Sequence, residues 1–338
     1  MKAMVQDNYG SGDSLELRDV DKPGVGDREV LIRVRAAGVN PADWAIMSGL
    51  PYVARPVYGL RKPKNAVRGT DVAGEVEAVG SGVTQFRVGD EVFGWCDGSF
   101  AEYASASQDS LAHKPADLSF EQAASVPMAG MVALQALRKG NVGAGTKILI
   151  NGASGGIGTF AVQIAKSLGA HVTGVCSTRN VELVRSIGAD EVIDYTEQDF
   201  TRNGQQYDFI LDNVSNHSLA NLRRALTPNG TLVPNGGRFD KRWMAGGARI
   251  VQGKLLFRFS SQRMGNFLLS PNQPDLIVLK ELIESGKLTP VMDRTYPLGE
   301  TALAMGHVGE GHAQGKTAIS VGLGKSANVN EAPLAAAT

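Results

Sequence analysis

Between Ile148 and Gly158 the chain reads I-L-I-N-G-A-S-G-G-I-G, and these residue types at this spacing specify chemistry more directly than any other stretch. An apolar strand, Lys147 to Ile150, runs into a glycine-rich turn. The turn opens into a helix over Thr159–Leu168, where Ala161, Val162, Ile164, Ala165 and Leu168 recur at helical spacing. Glycines let backbone approach phosphate oxygens, and the N–H groups and dipole at a helix start favour negative charge. The stretch is expected to cradle a pyrophosphate.

Two glycine patterns fit it. As G-x-G-x-x-G the positions are Ala153, Gly155 and Gly158, with alanine in the first place; as T-G-x-x-x-G-x-G they are Gly152, Gly156 and Gly158, with Asn151 in place of threonine. The second pattern belongs to short-chain dehydrogenases, which also need a downstream Tyr-x-x-x-Lys. None of Tyr195, Tyr207 or Tyr296 has lysine four residues on, so that chemistry is missing. The plain alternative is a turn that serves strand-to-helix packing alone.

The next strand, Ala170–Cys176, is followed by Ser177-Thr178-Arg179-Asn180. A site for NAD would carry Asp or Glu at that strand end for the ribose 2′-hydroxyl. Here two small hydroxyl residues and an arginine suit a 2′-phosphate through charge-assisted hydrogen bonds, so NADPH is expected over NADH. An ordinary solvated arginine is the competing reading.

These residues need elements to position them. A chain of 338 residues normally makes two domains. Lys and Arg together number 34 and balance 34 Asp and Glu, which argues against nucleic acid, and no apolar run is long enough to span a membrane. The start, M-K-A-M-V-Q-D-N-Y-G, has no signal-like pattern, so a cytoplasmic location is expected. Residues 1–127 read mostly as strands broken by glycine turns, with Glu29–Ala36 and Asp71–Val79 alternating apolar and charged. Phe120–Lys139 is a helical stretch interrupted by Pro127. Strands and helices then alternate: helices at Val181–Ile187 and Leu219–Leu226, strands at Glu191–Tyr195, Phe209–Asn213 and Gly230–Pro234. The fold class is α/β, a doubly wound nucleotide-binding domain joined to a β-rich barrel-like domain. Because ligands bind at the carboxyl ends of such strands, Asn213, Val214, Asn235 and Gly236 are expected beside the cofactor. The tail from about Gly324, rich in Ala, Asn and Ser, reads as disordered.

The chain resembles the medium-chain dehydrogenase/reductase superfamily over roughly Met1 to Leu323. The residues that carry the resemblance are A-A-G-V-N-P-A-D at Ala36–Asp43, G-T-D-V-A-G-E-V-E-A-V-G at Gly69–Gly80, F-R-V-G-D-E-V-F-G at Phe86–Gly94 and G-S-F-A-E-Y at Gly98–Tyr103. To these are added A-V-Q-I-A-K at Ala161–Lys166, I-G-A-D-E-V-I-D-Y at Ile187–Tyr195 and G-K-T-A-I at Gly315–Ile319. The resemblance implies a GroES-like domain over 1–127 and 271–323, a Rossmann domain over 128–270 and a tail over 324–338. Zinc members carry a cysteine and a histidine where this chain has Asn40 and Thr70, and neither replacement can serve as a zinc ligand. The four-cysteine structural lobe is also missing: only Cys96 lies near its place. No catalytic metal is expected, and the match is to the zinc-independent quinone oxidoreductase branch. Residues 265–296 look most like the reticulon-4-interacting-protein subgroup.

Position by position, the resemblance places the phosphates at Ser154, Gly155, Gly156 and Ile157, and a 2′-phosphate at Ser177, Arg179 and Tyr195. The nicotinamide side falls near Asn40, Asn213, Val214, Asn235 and Phe267–Leu269. Lys316 resembles a lysine near the cofactor cleft, with a surface lysine as the alternative. Where many relatives have threonine, Val132 stands in Gly130-Met131-Val132-Ala133, so one hydroxyl contact to the cofactor is lost.

Without a metal, hydride from NADPH passes most easily to an acceptor that spreads the charge itself, a quinone or the C=C bond of an α,β-unsaturated carbonyl. The proton donor is expected from the segment Trp44–Tyr58, with Tyr52 ahead of Tyr58, although a tyrosine there also serves as a wall and water can donate. Trp44, Tyr52 and Tyr58 are the candidate substrate-pocket residues, and Asn40 and Tyr52 the candidate catalytic ones. The five histidines form no metal-like cluster, and His307 and His312 are expected in a late, exposed helix. The basic, aromatic stretch Gly237–Arg263 reads as a lid over an apolar substrate or as a membrane-surface or partner helix. The competing functions are a zinc-free carbonyl reductase or alcohol dehydrogenase, and an NADPH-binding sensor or interaction protein without turnover. A homodimer, a small hydrophobic substrate and no nucleic acid complete the expected partners.

Overall fold

The alternating segment that starts at Glu29 continues beyond its last charge, because Ala36 to Val39 lies between two strands that hydrogen-bond to it from either side. The computed structural model describes residues 1–236, 247–258, 260–265, 269–311 and 313–322. The first part consists of β1 (Lys2–Val5), β2 (Glu16–Asp19), β3 (Glu29–Val39), α1 (Pro41–Ser48), α2 (Arg55–Tyr58), β4 (Asp71–Val79), β5 (Glu91–Trp95), β6 (Tyr103–Ser107) and β7 (Leu111–His113). Helices α3 (Phe120–Ala124) and α4 (Pro127–Lys139) lead out of it. Pro127 starts the second helix and does not interrupt a single one. Its fixed φ and missing N–H suit a first turn.

The middle alternates as β8 (Lys147–Asn151), α5 (Gly156–Ser167), β9 (His171–Cys176), α6 (Val181–Ser186), β10 (Glu191–Asp194), β11 (Tyr207–Asp212), α7 (Leu219–Arg224), β12 (Leu226–Pro234), α8 (Gly247–Phe257) and β13 (Arg263–Met264). These strands pair in parallel in the order β10-β9-β8-β11-β12-β13. The direction of winding reverses at β8, which opens a crevice between the carboxyl ends of β8 and β11. Ile148 and Ile150 pack into one core and Leu149 into the other, as a strand buried on both faces requires.

The chain then returns through α9 (Gln273–Glu284), β14 (Met292–Pro297), α10 (Thr301–Gly309) and β15 (Lys316–Ser320). β15 pairs antiparallel with β3 and parallel with β14, so the barrel-like sheet runs β14-β15-β3-β4-β5-β7 with β6 on β3. The fold is α/β with a Rossmann unit and a GroES-like unit.

Several local expectations need correction. α5 begins at Gly156, three residues before the apolar period suggests, because Gly155 takes the N-cap position and the glycines themselves form the first turn. β12 begins at Leu226, which pairs with Tyr207 of β11; the register then shifts, and Thr227–Gly230 bulge out before Thr231 meets Phe209. α9 packs on α4, with Leu276, Leu279 and Ile283 in a shared core, and it also touches β7 of the barrel through Gln273, so it lies against both units. The described part of the basic stretch is α8, which lies against α7, sends Phe257 into the core and leads to β13. This is a crossover helix, which the lid reading did not foresee. Residues 237–246 and the tail over 324–338 lie outside the described residues.

Candidate active site

Between β8 and α5 the glycines each answer a different steric demand. Gly152 has φ 82°, a left-handed conformation that side chains resist. A Cβ on Gly158 would lie 2.1 Å from the Gly152 carbonyl oxygen, whereas one on Gly155 would meet only that oxygen, at 3.6 Å. The turn is therefore tight beneath and open above. The N–H groups of the first turn of α5 have no acceptor within the helix. Ser154 is buried, and Gly155, Gly156 and Ile157 are half-buried at the mouth. This cradle fits the pyrophosphate of a nicotinamide dinucleotide.

At the end of β9, Ser177 is half-buried, Arg179 is exposed and Tyr195 is 55% exposed. Asn180 is buried, and its Nδ2 donates to Ser154 Oγ at 2.9 Å and to Ser177 Oγ at 3.3 Å. An acid also stands here that the single-strand reading missed. Asp194, at the end of β10, is in register with Cys176 at the end of β9. Hydrogen bonds from Thr178 and Thr196 hold its carboxyl below the ordinary carboxylate range. Parallel pairing, invisible in β9 alone, brings it there.

Across the crevice, Asn213 and Val214 lie against the glycine turn: a Cβ on Gly152 would sit 2.8 Å from Val214 Cγ2. Asn235 Nδ2 donates to Asn213 Oδ1 at 2.8 Å, and a Cβ on Gly236 would lie 2.3 Å from the Asn213 carbonyl oxygen. The structure thus brings Asn213, Val214, Asn235 and Gly236 together. Beneath them, fully buried Asp212 accepts from Asn151 Nδ2, the Ser215 N–H and Arg249 Nη2, each at 2.9 Å. Arg249, expected on a lid over an apolar substrate, faces this carboxylate from α8.

Where the two units meet, Asn40 closes a buried polar cluster. Its Nδ2 donates to Asp71 Oδ2 at 3.0 Å, its backbone N–H to Asp43 Oδ2 at 2.9 Å, and its Oδ1 accepts from Lys316 Nζ at 2.5 Å. Lys316 also donates to the Val39 carbonyl, and Thr70 to Asp43. Asn40, Asp43, Asp71 and Lys316 are all 5% exposed or less. Lys316 is not a surface lysine. Burial pushes Asp71 up to about 7 against the pull of Lys316 and Asn40, raises Asp43, and lowers Lys316 against the pull of both carboxylates. Asp43 and Asp71 were legible only as parts of motifs, because Lys316, which closes the cluster on Asn40, lies 276 positions away.

The expected pocket residues are dispersed. The Trp44 indole packs against Gly309 of α10 and joins the edge of the barrel core. Arg55 stacks over the rings of Tyr52 and Tyr9, its guanidinium carbon 4.5 and 4.6 Å from their centroids. Tyr58 is exposed at the end of α2. Leu269 packs on the core near α9, and Phe267 lies outside the described residues. Val132 is buried in α4. His307 is not an exposed helix residue: its Nε2 pairs with Asp293 at 2.6 Å and its side chain is 15% exposed, whereas His312 lies outside the described residues. A cavity of about 500 Å³ between the C-terminal half of α5 and the α9–β14 connection, lined by Gln163, Lys166 and Lys287, is remote from the glycine turn. Among the described residues no three His, Cys, Asp or Glu side chains are grouped to hold a metal ion, and no helix is long and apolar enough to cross a membrane.

Comparison with known proteins matches this arrangement. Residues 26–116 match the family model described as an alcohol dehydrogenase GroES-like domain, and residues 187–319 that of a zinc-binding dehydrogenase. The chain is 33% identical to the chloroplast envelope quinone oxidoreductase homolog of Arabidopsis thaliana, covering 94% of this chain and 98% of that one. It is 36% identical to the mitochondrial NAD(P)H oxidoreductase RTN4IP1 of Mus musculus, covering 95% and 89%. The quinone oxidoreductase structure from Coxiella burnetii superposes with a TM-score of 0.83 at 31% identity, covering 95% and 99%. With the glycine turn at a Rossmann crevice, and Asn40 and Thr70 where zinc ligands would stand, the chain belongs to the zinc-independent quinone oxidoreductase branch of the medium-chain dehydrogenase/reductase superfamily and is an NAD(P)H-dependent oxidoreductase.

Proposed function

We propose that the protein uses NADPH to reduce a small, apolar, electron-poor acceptor, either a quinone or the C=C bond of an α,β-unsaturated carbonyl. The observation that carries this reading is the closed cluster around Asn40. Its carboxamide is engaged on both sides, by Lys316 and by Asp71, and a neutral amide so committed is a poor ligand for a Lewis acid that would activate an isolated carbonyl. An acceptor that delocalises the incoming charge over its own π system asks least of such a site.

When bound, NADPH supplies the hydride. The chain's residues hold and orient: the glycine turn and the start of α5 carry the pyrophosphate, Ser177, Arg179 and Tyr195 the 2′-phosphate, and the Asn40 cluster fixes the wall where the two units meet. The proton that completes the product comes from Tyr52 or from water. The relatives' names, with quinone and NAD(P)H in them, support the acceptor and cofactor classes.

The test is NADPH oxidation, followed by absorbance, across quinones, enones and aldehydes, with products identified. Hydroquinone and saturated ketone are expected. An allylic alcohol from an enone would replace the reading with carbonyl reduction, and tight NADPH binding with no turnover on any acceptor would leave a nucleotide-binding protein. The proposal includes a homodimer, checked by light scattering of the eluting protein. It also includes a cytoplasmic location, checked by imaging a tagged chain, since two relatives' names place them in chloroplast and mitochondrion.

A further inference from the structure

Asn180 ends the short 3-10 turn Thr178–Asn180 that runs into α6, and its side chain accepts from no helical N–H. It is 5% exposed, between an exposed Arg179 and the half-buried Val181. Its two Nδ2 hydrogens go instead to Ser154 Oγ in the glycine turn and to Ser177 Oγ at the end of β9. Its Oδ1 is buried with no partner. Leaving that oxygen unsatisfied costs stability, so the amide has been committed to the two hydroxyls.

A hydroxyl that accepts from an amide keeps its own hydrogen for another acceptor. Among the described residues, the only hydrogen bonds given to these two hydroxyls come from Asn180. Thr178, one residue away, differs, because its hydroxyl is taken up by Asp194 and Thr196. We infer that Asn180 is a positioning residue that makes Ser154 and Ser177 hydroxyl donors toward the crevice, so that one amide tunes both the pyrophosphate cradle and the 2′-phosphate position. The inference rests on the NADPH reading and adds to it the residue that sets the polarity of the hydroxyls.

Calorimetric titration with 2′,5′-ADP and with 5′-AMP tests it without turnover, because these ligands differ only in the 2′-phosphate. Wild type should bind 2′,5′-ADP more tightly. Asn180→Ala should shrink that ratio about threefold to tenfold, as expected for weakening one charge-assisted hydrogen bond. In a Ser177→Ala background the same change should move the ratio less than about twofold, because no hydroxyl remains to be oriented. Asn180→Asp keeps the side-chain shape, accepts from both hydroxyls and should shrink the ratio further; it serves where the alanine variant does not fold. An unchanged ratio in Asn180→Ala, or an equal fall with and without Ser177, overturns the inference. A wild-type ratio near one overturns the NADPH reading itself.

Discussion

Arg179 and Asp194 set opposite charges at the mouth where a 2′-phosphate would sit. Thr178 and Thr196 hold the Asp194 carboxylate, and the Arg179 guanidinium supplies the positive charge a 2′-phosphate needs. Arg179→Ala is therefore expected to weaken NADPH about tenfold and leave NADH unchanged, read as two dissociation constants; an unchanged preference sinks the assignment. Asp71 carries a second prediction. Its carboxyl titrates near 7 in the fold and at 3.8 in the unfolded chain, so the folded state binds the proton more tightly. The stability from that proton is fully present below about pH 4 and is lost as pH rises to about 7. Asn cannot ionise, so the melting temperature of Asp71→Asn relative to wild type should climb from pH 4 to 7 and level off above it. A gap that is flat in pH would mean the buried carboxyl does not titrate there.

At the scale of elements, the glycine turn is a packing joint as well as a cradle. The 2.1 Å approach of a Cβ on Gly158 to the Gly152 carbonyl leaves no room for a methyl group. Gly158→Ala should cost about 1–3 kcal/mol in denaturant unfolding and weaken ADP binding together, because α5 must back away from β8. β8, β4 and the run into α5 were legible because their patterns are local: three apolar residues in a buried parallel strand, alternation over Gly74–Ala78 in β4, a glycine turn before a helical period. The start of α5 was not, since glycine has no helical preference and only packing puts Gly156 in the first turn. β13 is two residues long and has no period to read. Asp194 beside Ser177 and Lys316 beside Asn40 depend on strand pairing, which no window along the chain contains.

For the whole molecule, β15 ties the two sheets at the candidate site. The Gly315 N–H donates to the Ser154 carbonyl at 2.9 Å, and Gly155 bridges Gly315, so the strand that completes the barrel also clasps the glycine turn. Lys316→Met keeps the buried stem but leaves Asn40 Oδ1 without its donor and removes the positive charge that Asp43 and Asp71 feel. A loss of about 1–3 kcal/mol is expected. Hydrogen exchange should show the segments around Asn40 and around Ser154 losing protection together while β10 is unaffected; loss at Asn40 alone would mean that β15 does not couple them. The clasp also has a consequence for biosynthesis. Lys316 leaves the ribosome 276 residues after Asn40, on the order of tens of seconds later at ordinary elongation rates. Until then β3 has an open edge, two carboxylates await their counter-ion, and the nascent nucleotide sheet has no lock on its phosphate turn. The catalytic crevice is thus among the last features to form, and a chain halted before Gly315 would carry every glycine of the turn without a finished site.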